Sequence, residues 1–369
     1  MPEIKGGGAA CCRPPDYRSR DYRSRDYKSP DYKSIESVCL VFLHGIGDFV
    51  MFTPALKKIK TINPGIKTTV VLRKELGLKA LAESQDYIDC VLEMPLERHP
   101  RFYLPWIFWT KEYWIIKRRL GALLTGKRFD RVQVIYNQLL PTFLYLVFCP
   151  KRARAHKICR LAREAGLALT EAELNSPVLK VPDDEKRQGA CRLRDSAPAG
   201  ALFIGIQRNT MDKTRSIPLA AVQGFIDGLN RQYGQRKGKI FFVVFANEAG
   251  FALEQKADGG HLEAPNLLYS FRMDGGRDAL SLAAIIENCD LILSVDSAVF
   301  NMACALGKPT IGVFNNYKVR SGQRALKSEN ILCIDSPRVS GEELLDKFHA
   351  LHEKGPRPPS TNNPDEQSR

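Results

Sequence analysis

The apolar positions of the chain alternate between two patterns from Val38 onward. Short apolar runs rich in β-branched residues predict buried strands, and stretches with an apolar residue every three or four positions predict helices. The two patterns follow one another in turn, which is typical of βαβ units and parallel sheets, so the sequence predicts an α/β protein. The predicted strands are Val38–Leu43, Thr68–Leu72, Cys90–Met94, Arg131–Asn137, Ala201–Ile206, Lys239–Phe245, Leu267–Ser270, Asp290–Val295, Thr310–Phe314 and Ile331–Ile334.

A polar, proline-bearing segment near residues 170–185 interrupts this alternation. A chain of 369 residues exceeds the usual size of one domain, so we expect the domain boundary there. One α/β domain is expected at 38–175 and a second at 185–354, with a cleft between the carboxyl ends of their two sheets. Within the first domain, Thr53 and Pro54 predict the N-cap and first position of a helix.

Both ends of the chain differ from this pattern. Residues 16–35 consist of four copies of a five-residue unit that begins Asp-Tyr, and the period is too short for a solenoid. The last residues are polar and rich in proline. We therefore expect disordered tails at 1–37 and 355–369.

The cysteines and the hydropathy pattern bear on the cellular location of the protein. The ten cysteines are scattered without a Cys-x-x-Cys pair, which favours reduced thiols over disulfides or zinc ligands. Neither a signal peptide nor a run of about 18 uncharged apolar residues is present in the sequence. The expected location is the cytoplasm.

Positive charge is concentrated in the first domain. The chain carries a net charge of +14, and residues 98–164 alone hold fifteen Lys or Arg against three acidic residues. Such a field attracts phosphorylated or carboxylated partners: an acidic glycolipid, a membrane surface or nucleic acid. The cations match no nucleic-acid-binding motif, so we expect no nucleic-acid partner.

All three tryptophans lie within residues 101–119, interleaved with cations. This composition suits an interfacial helix in peripheral contact with the inner face of the inner membrane. The alternative, which the composition favours because globular helices also show such stripes, is a helix that packs on the sheet and leaves its cations in water.

The first predicted strand runs into Gly45-Ile46-Gly47-Asp48, a glycine turn at which a ligand can approach the backbone. A dinucleotide-binding fingerprint would need a third glycine where Val50 stands and an acidic residue where Leu72 and Arg73 stand, so that alternative is disfavoured. A P-loop is excluded because no Gly-Lys-Ser/Thr follows. Asp48 is either a helix cap or a general base.

A second candidate site lies in the C-terminal half. Asp296 and Ser297 stand where a strand ends and a helix begins, so they either orient a diphosphate at the helix N-terminus or cap the helix. Three cations on the loop after Ala201–Ile206 belong to the same edge and either bind the anion or are solvated loop charges. They are Arg208, Lys213 and Arg215.

Three motifs together resemble glycosyltransferase family 9, the lipopolysaccharide heptosyltransferases. They are Gly45-Ile46-Gly47-Asp48 with Thr53-Pro54, Arg215-Ser216-Ile217-Pro218, and the stretch Leu282–Phe314. The resemblance implies a GT-B fold, in which two Rossmann-like, doubly wound domains face each other across a cleft. It also implies an inverting glycosyltransferase that moves heptose or a similar sugar from an ADP-linked donor to an acidic glycan or lipopolysaccharide-type acceptor.

By position, the resemblance makes Asp48 the base and puts Gly45 and Gly47 on the acceptor-side loop. The resemblance also implies that seven residues bind the donor: Arg208, Lys213, Arg215, Asp296, Ser297, Ala298 and Asn301. No Asp-x-Asp occurs in the sequence, so no metal and no other cofactor is expected.

Two donor positions depart from the family pattern, with Ala298 in place of the usual Gly and Asn301 in place of the usual His. These departures leave open an alternative function, a catalytically weak relative that binds a nucleotide sugar or an acidic glycan.

Overall fold

A computed structural model describes most of the two predicted domains. The described residues are 31–96, 111–135, 161–162, 165–170, 173, 178–195, 197–198, 200–210, 215–233, 240–245, 262–269, 278–314, 330–336 and 338–352. The predicted tail residues 1–30 and 355–369, Trp106, Trp109 and Lys213 lie outside them.

The N-terminal sheet consists of four parallel strands in the order β3-β2-β1-β4. Its strands are β1 (Ser37–Phe42), β2 (Lys67–Arg73), β3 (Cys90–Met94) and β4 (Arg131–Ile135). The order of the strands reverses between β1 and its neighbour β4. Ligands of open α/β sheets bind at the carboxyl ends of the two strands at such a reversal. Helices α1 (Ile46–Ile62), α2 (Lys79–Glu83) and α3 (Lys111–Leu124) belong to this domain.

The C-terminal sheet has six parallel strands in the order β10-β9-β8-β5-β6-β7, so its reversal lies between β5 and β8. Its strands are β5 (Leu202–Gln207), β6 (Ile240–Val244), β7 (Leu267–Tyr269), β8 (Leu291–Val295), β9 (Thr310–Val313) and β10 (Ile331–Ile334). The helices are α4 (Asp183–Arg194), α5 (Leu219–Tyr233), α6 (Ala279–Asn288), α7 (Ala298–Ala305) and α8 (Gly341–His352). Both sheets therefore have the doubly wound arrangement that the alternation predicted.

One apolar core joins the two domains. A single cluster of buried residues includes Phe49 and Phe52 of α1 together with Phe300 and Met302 of α7. Helix α1 of the first domain packs directly on α7 of the second, and α2 of the first contacts α6 of the second. The two domains are therefore in direct contact through these helices.

The prediction that Thr53 and Pro54 begin the first helix is wrong. Helix α1 begins at Ile46, with Gly45 as its N-cap, and Pro54 lies inside it. A proline cannot donate the backbone hydrogen bond to the carbonyl four residues earlier, which here belongs to Val50. The Thr53 hydroxyl donates to that carbonyl instead, at 2.8 Å, so the helix continues without an unsatisfied acceptor.

The N-terminal tail is shorter than the predicted 1–37, because its last residues pack on the domain. Tyr32, in the last copy of the repeat, is fully buried, and its hydroxyl donates to the Ala165 carbonyl. The Asn63 side-chain amide, just after α1, donates to the carbonyls of Tyr32 and Ile35. Residues 31–36 are therefore part of the N-terminal domain.

Replacing Tyr32 with alanine should lower the free energy of unfolding by about 3 kcal/mol, because a large buried ring is removed. Tyr32→Phe keeps the ring and removes one hydrogen bond, so it should cost about 1 kcal/mol. Urea denaturation measures both. Equal stability of Tyr32→Ala and the wild type would contradict the packing of this segment.

Candidate active site

Two turns lie at the reversal points of the two sheets. The first, after β1, holds Gly45, Gly47 and Asp48, and the second, after β8, holds Asp296 and Ser297. Each turn leads directly into a helix, α1 or α7, and these two helices pack together. The two motifs that the sequence placed on opposite sides of a cleft are thus brought to one place.

The contact between the two turns passes through Gly47. A Cβ atom on this residue would lie 2.9 Å from Asn301 Nδ2 and 3.3 Å from the Ala298 Cα atom. A larger residue here would have to displace Asn301 or the start of α7, so close approach of the other domain, and not an unusual φ angle, favours glycine. At Gly45, by contrast, a Cβ would meet nothing within 4 Å, so the space beside it is open.

This packing brings two helix N-termini close together. The amide groups in the first turn of a helix point outward and carry the positive end of the helix dipole. Two such ends face one region here, and each has an aspartate beside it: Asp48 in the first turn of α1 and Asp296 just before α7. The arrangement is typical of a site for an anion such as a diphosphate.

Asp48 is not the cap of its helix. The N-cap is Gly45, and Asp48 is the third residue of α1, where its backbone N–H donates to the Gly45 carbonyl at 3.1 Å. Of the two interpretations of Asp48 in the sequence, the helix cap is therefore wrong. The half-buried carboxylate lies at the mouth of the glycine turn, in the first turn of the helix.

His44 is a member of this region that the sequence analysis did not single out. It is buried, and its Nε2 lies 2.8 Å from the Ile135 carbonyl at the end of β4. Because a carbonyl only accepts, Nε2 carries the proton. The ring also packs edge-on against Phe42, with centroids 5.0 Å apart. His44 thus ties together the carboxyl ends of β1 and β4 and fixes where the glycine turn begins.

Ser297 caps helix α7. Its hydroxyl accepts from the Phe300 backbone N–H at 3.3 Å and lies 3.0 Å from the Ser294 hydroxyl. The side-chain amide of Asn301 donates to the Ser297 carbonyl at 3.0 Å. Asn301 is buried, and Ala298, the first residue of α7, is half-buried. Two of the predicted donor residues of this turn, Ser297 and Asn301, are therefore joined by a hydrogen bond.

Arg215 reaches the same turn from another part of the chain. Its Nη1 lies 3.4 Å from Asp296 Oδ2, and the two side chains are 37% and 15% exposed. The loop that carries Arg215 is closed by Arg208, whose Nη1 donates to the Ile217 carbonyl while the Ile217 N–H donates to the Arg208 carbonyl. Arg208 is buried and so is not a solvated loop charge.

Residues 275–339 match the model of glycosyltransferase family 9 (heptosyltransferase). The matched stretch contains α6, β8, α7, β9 and β10, and thus the whole Asp296 turn. The chain is similar to family 9 glycosyltransferases. The resemblance predicted from the motifs is confirmed, although no curated protein matches the chain significantly in sequence.

Solved structures similar to this family 9-like chain establish its fold. A family 9 glycosyltransferase from Veillonella parvula superimposes with a TM-score of 0.64 at 14% identity, over 88% of this chain and 99% of that one. The E. coli ADP-heptose lipopolysaccharide heptosyltransferase II gives 0.64 at 16% identity, over 86% and 99%. The E. coli heptosyltransferase WaaC with ADP-2-deoxy-2-fluoro heptose gives 0.53 at 15% identity, over 86% and 99%. The predicted GT-B fold is confirmed.

Two features are absent from the part of the chain that the structure describes. None of its helices combines the length and the apolar character needed to cross a membrane. No group of three or more His, Cys, Asp or Glu side chains there is arranged to hold a metal ion.

The close contact at Gly47 predicts that a larger residue there lowers the stability of the folded protein. Gly47→Val should lower the free energy of unfolding by about 2 kcal/mol, because the added carbons must displace Asn301 and the α7 backbone. Gly121→Val is the matched control, since Gly121 is also helical but has nothing within 4 Å of its Cβ position. Urea denaturation should find the control at least as stable as the wild type. Similar effects of both substitutions would contradict the close packing of α1 on α7.

Proposed function

We propose that the protein is an inverting glycosyltransferase that moves heptose or a similar sugar from an ADP-linked donor to an acidic glycan or lipopolysaccharide-type acceptor. The observation that carries this proposal is the convergence of the Asp48 turn and the Asp296 turn at the α1/α7 contact. A reaction between an acceptor hydroxyl and a sugar diphosphate needs a base and an anion site side by side. The two turns supply one each.

On the acceptor side, Asp48 acts as the general base. It takes the proton from the acceptor hydroxyl as the oxygen attacks the anomeric carbon from the face opposite the diphosphate. The bond from that carbon to the diphosphate oxygen breaks as the new bond forms, so configuration inverts. Open space beside Gly45 admits the acceptor to the backbone at this turn.

On the donor side, positive charge stabilises the departing diphosphate. The N-terminus of α7 and the Arg215 guanidinium both lie at the Asp296 turn. Fixed donors of this kind stabilise the charge that develops in the transition state. We assign Ser297, Ala298 and Asn301 to donor binding because they lie at the N-terminus of α7. We also assign it to Lys213 and Arg208, which belong to the loop of Arg215. This site performs the transfer without a metal, so EDTA should leave turnover unchanged.

The alternative is a catalytically weak relative that binds a nucleotide sugar or an acidic glycan. It is favoured by one observation: the Asn301 amide bonds the Ser297 carbonyl inside its own turn, at a position where the family pattern has a histidine. This alternative predicts affinity for a nucleotide sugar without turnover for any acceptor.

Asp48→Asn should reduce turnover by about 100-fold or more, because the variant cannot accept the proton. Its affinity for the donor should remain that of the wild type. Release of nucleotide from ADP-, UDP- and GDP-sugars in the presence of lipid-linked acceptors measures turnover, and calorimetric titration with ADP measures donor binding.

Two variants serve as controls in the same assays. Asp183→Asn makes the same chemical change at an exposed position on α4 and should leave both measurements unchanged. Arg215→Gln should weaken ADP binding. Wild-type turnover in Asp48→Asn would refute the assignment of the base.

We also propose that α3 contacts the membrane from which a lipid-linked acceptor would be presented. The helix buries Ile116 against the sheet but leaves Trp114 57% and Ile115 42% exposed. Exposed cations at Lys117 and Arg118 follow, and Lys117 Nζ lies 4.9 Å from the centroid of the Trp114 ring. Exposed apolar side chains among cations suit an anionic lipid surface.

Flotation with vesicles that contain anionic phospholipid tests this contact. Replacing Trp114 and Ile115 with serine should reduce the bound fraction several-fold, because apolar area that enters the headgroup region is lost. Val178→Ser removes an exposed apolar side chain elsewhere on the surface and should bind as the wild type does. Equal binding of the α3 variant and the wild type would contradict the proposal.

A further inference from the structure

The interdomain segment, residues 178–181, packs against both domains. Its side chains alternate in exposure: Leu179 and Val181 are 6% and 2% exposed, whereas Val178 and Lys180 are exposed to solvent. The two buried side chains belong to the same apolar cluster as α1 and α7. Burial of every second side chain gives the segment the packing of a strand and distinguishes it from a flexible linker.

The first domain binds the backbone of this segment through Gln85, which follows α2. The Gln85 side-chain amide donates through Nε2 to the Lys180 carbonyl at 3.0 Å and accepts through Oε1 from the Lys180 N–H at 2.9 Å. The two amides thus exchange two hydrogen bonds, as two opposed residues do in an antiparallel ladder. Gln85 is 2% exposed, so water does not compete for these bonds. The nearby Tyr87 hydroxyl donates to the Val178 carbonyl at 3.0 Å.

The second domain is bonded to the residue between these two. The Leu179 N–H donates to the Ala305 carbonyl at 3.2 Å. Ala305 is the last residue of α7, and the last four carbonyls of a helix have no partner within it. The interdomain segment therefore satisfies a carbonyl at the C-terminus of α7, the helix whose N-terminus is the proposed diphosphate site.

Helix α7 is consequently attached to the first domain at both ends. Its N-terminal turn contacts Gly47, and its last carbonyl is bonded to the segment that Gln85 holds. The helix has eight residues, so the two attachments are about 12 Å apart. One attachment fixes the position of a helix end, whereas two attachments at this separation also fix the direction of the helix axis relative to the Asp48 turn.

We infer that Gln85 is a positioning residue for the transfer: by holding Lys180, it fixes the direction of α7 and thus the distance between Asp48 and the diphosphate site. This inference rests on the proposed function, because it assigns the reaction that this distance serves. A displacement of about 1 Å between reacting groups can lower a rate by about 100-fold.

Amide hydrogen exchange tests whether Gln85 holds the segment, and it requires no turnover. Gln85→Leu should raise the exchange rate of the Leu179 N–H at least tenfold, because the segment that carries it loses its partner in the first domain. The Ile292 N–H, which donates to the Pro309 carbonyl inside the second domain, should exchange as in the wild type. An equal rise at both amides would indicate a general loss of stability and would overturn the inference.

Gln223→Leu is the matched control. The Gln223 side-chain amide donates to the Glu263 carbonyl at 2.8 Å and accepts from the Glu263 N–H at 2.9 Å, so it makes the same reciprocal pair. Both of these residues belong to the second domain. The control should leave the exchange of the Leu179 N–H unchanged. If Gln85→Leu leaves it unchanged as well, Gln85 does not hold the segment and the inference is overturned.

Kinetics test the consequence for the reaction. Gln85→Leu should lower kcat about tenfold or more, because α7 is no longer aligned with Asp48. Its affinity for ADP should remain that of the wild type, since the diphosphate site lies within the second domain. Gln223→Leu should change neither quantity. A wild-type kcat in Gln85→Leu, or a loss confined to ADP affinity, would overturn the positioning role.

A second variant covers the case in which Gln85→Leu does not fold. Tyr87→Phe removes only the hydroxyl beside the Val178 carbonyl and Gln85 Oε1, and it should change the exchange rate and kcat in the same directions, severalfold. Wild-type values in that variant would overturn the inference. Absence of turnover in the wild type would refute the proposed reaction and the effect on kcat, whereas the Leu179 exchange rate would still decide whether Gln85 holds α7 to the first domain.

Discussion

The arrangement of the molecule depends on the packing of α1 against α7. These helices begin at the reversal points of two separate sheets and approach so closely at Gly47 that a Cβ atom there would lie 2.9 Å from Asn301 Nδ2. The contact brings together two positively polarised helix ends. Aspartates at both ends and Arg215 beside one of them then give the region an uneven charge, with an acidic and a basic side.

This uneven charge gives the two turns different roles in the proposed reaction. The Asp48 turn has open space beside Gly45, while the Asp296 turn holds Arg215 and the hydrogen bonds of Ser297. The similarity to heptosyltransferase structures covers both halves of the chain, so the division corresponds to the two domains of a GT-B fold. His44, through the Ile135 carbonyl, holds the Gly45–Asp48 turn at the edge of its sheet.

The sequence predicted the strands well because strands of a parallel sheet are buried on both faces and read as continuous apolar runs. It predicted the two turns because glycines and aspartates follow those runs directly. It failed at Pro54 for a local reason and at Tyr32 for a long-range one. Pro54 lies inside α1 because the hydroxyl of the neighbouring Thr53 donates to the Val50 carbonyl, which has no backbone donor from the proline. Tyr32 is buried, and its hydroxyl donates to the carbonyl of Ala165, far away in the chain. The buried environment of His44 likewise depends on Ile135, in a strand far away in the chain, so no local pattern could reveal it.

A crystal structure of the protein with ADP tests the central claim most directly. The account predicts that the diphosphate lies at the N-terminus of α7, within hydrogen-bond distance of Ser297 and of the Arg215 guanidinium, with Asp48 across the cleft from the terminal phosphate. A diphosphate bound instead at the Gly45–Asp48 turn, with the Asp296 turn empty, would contradict it.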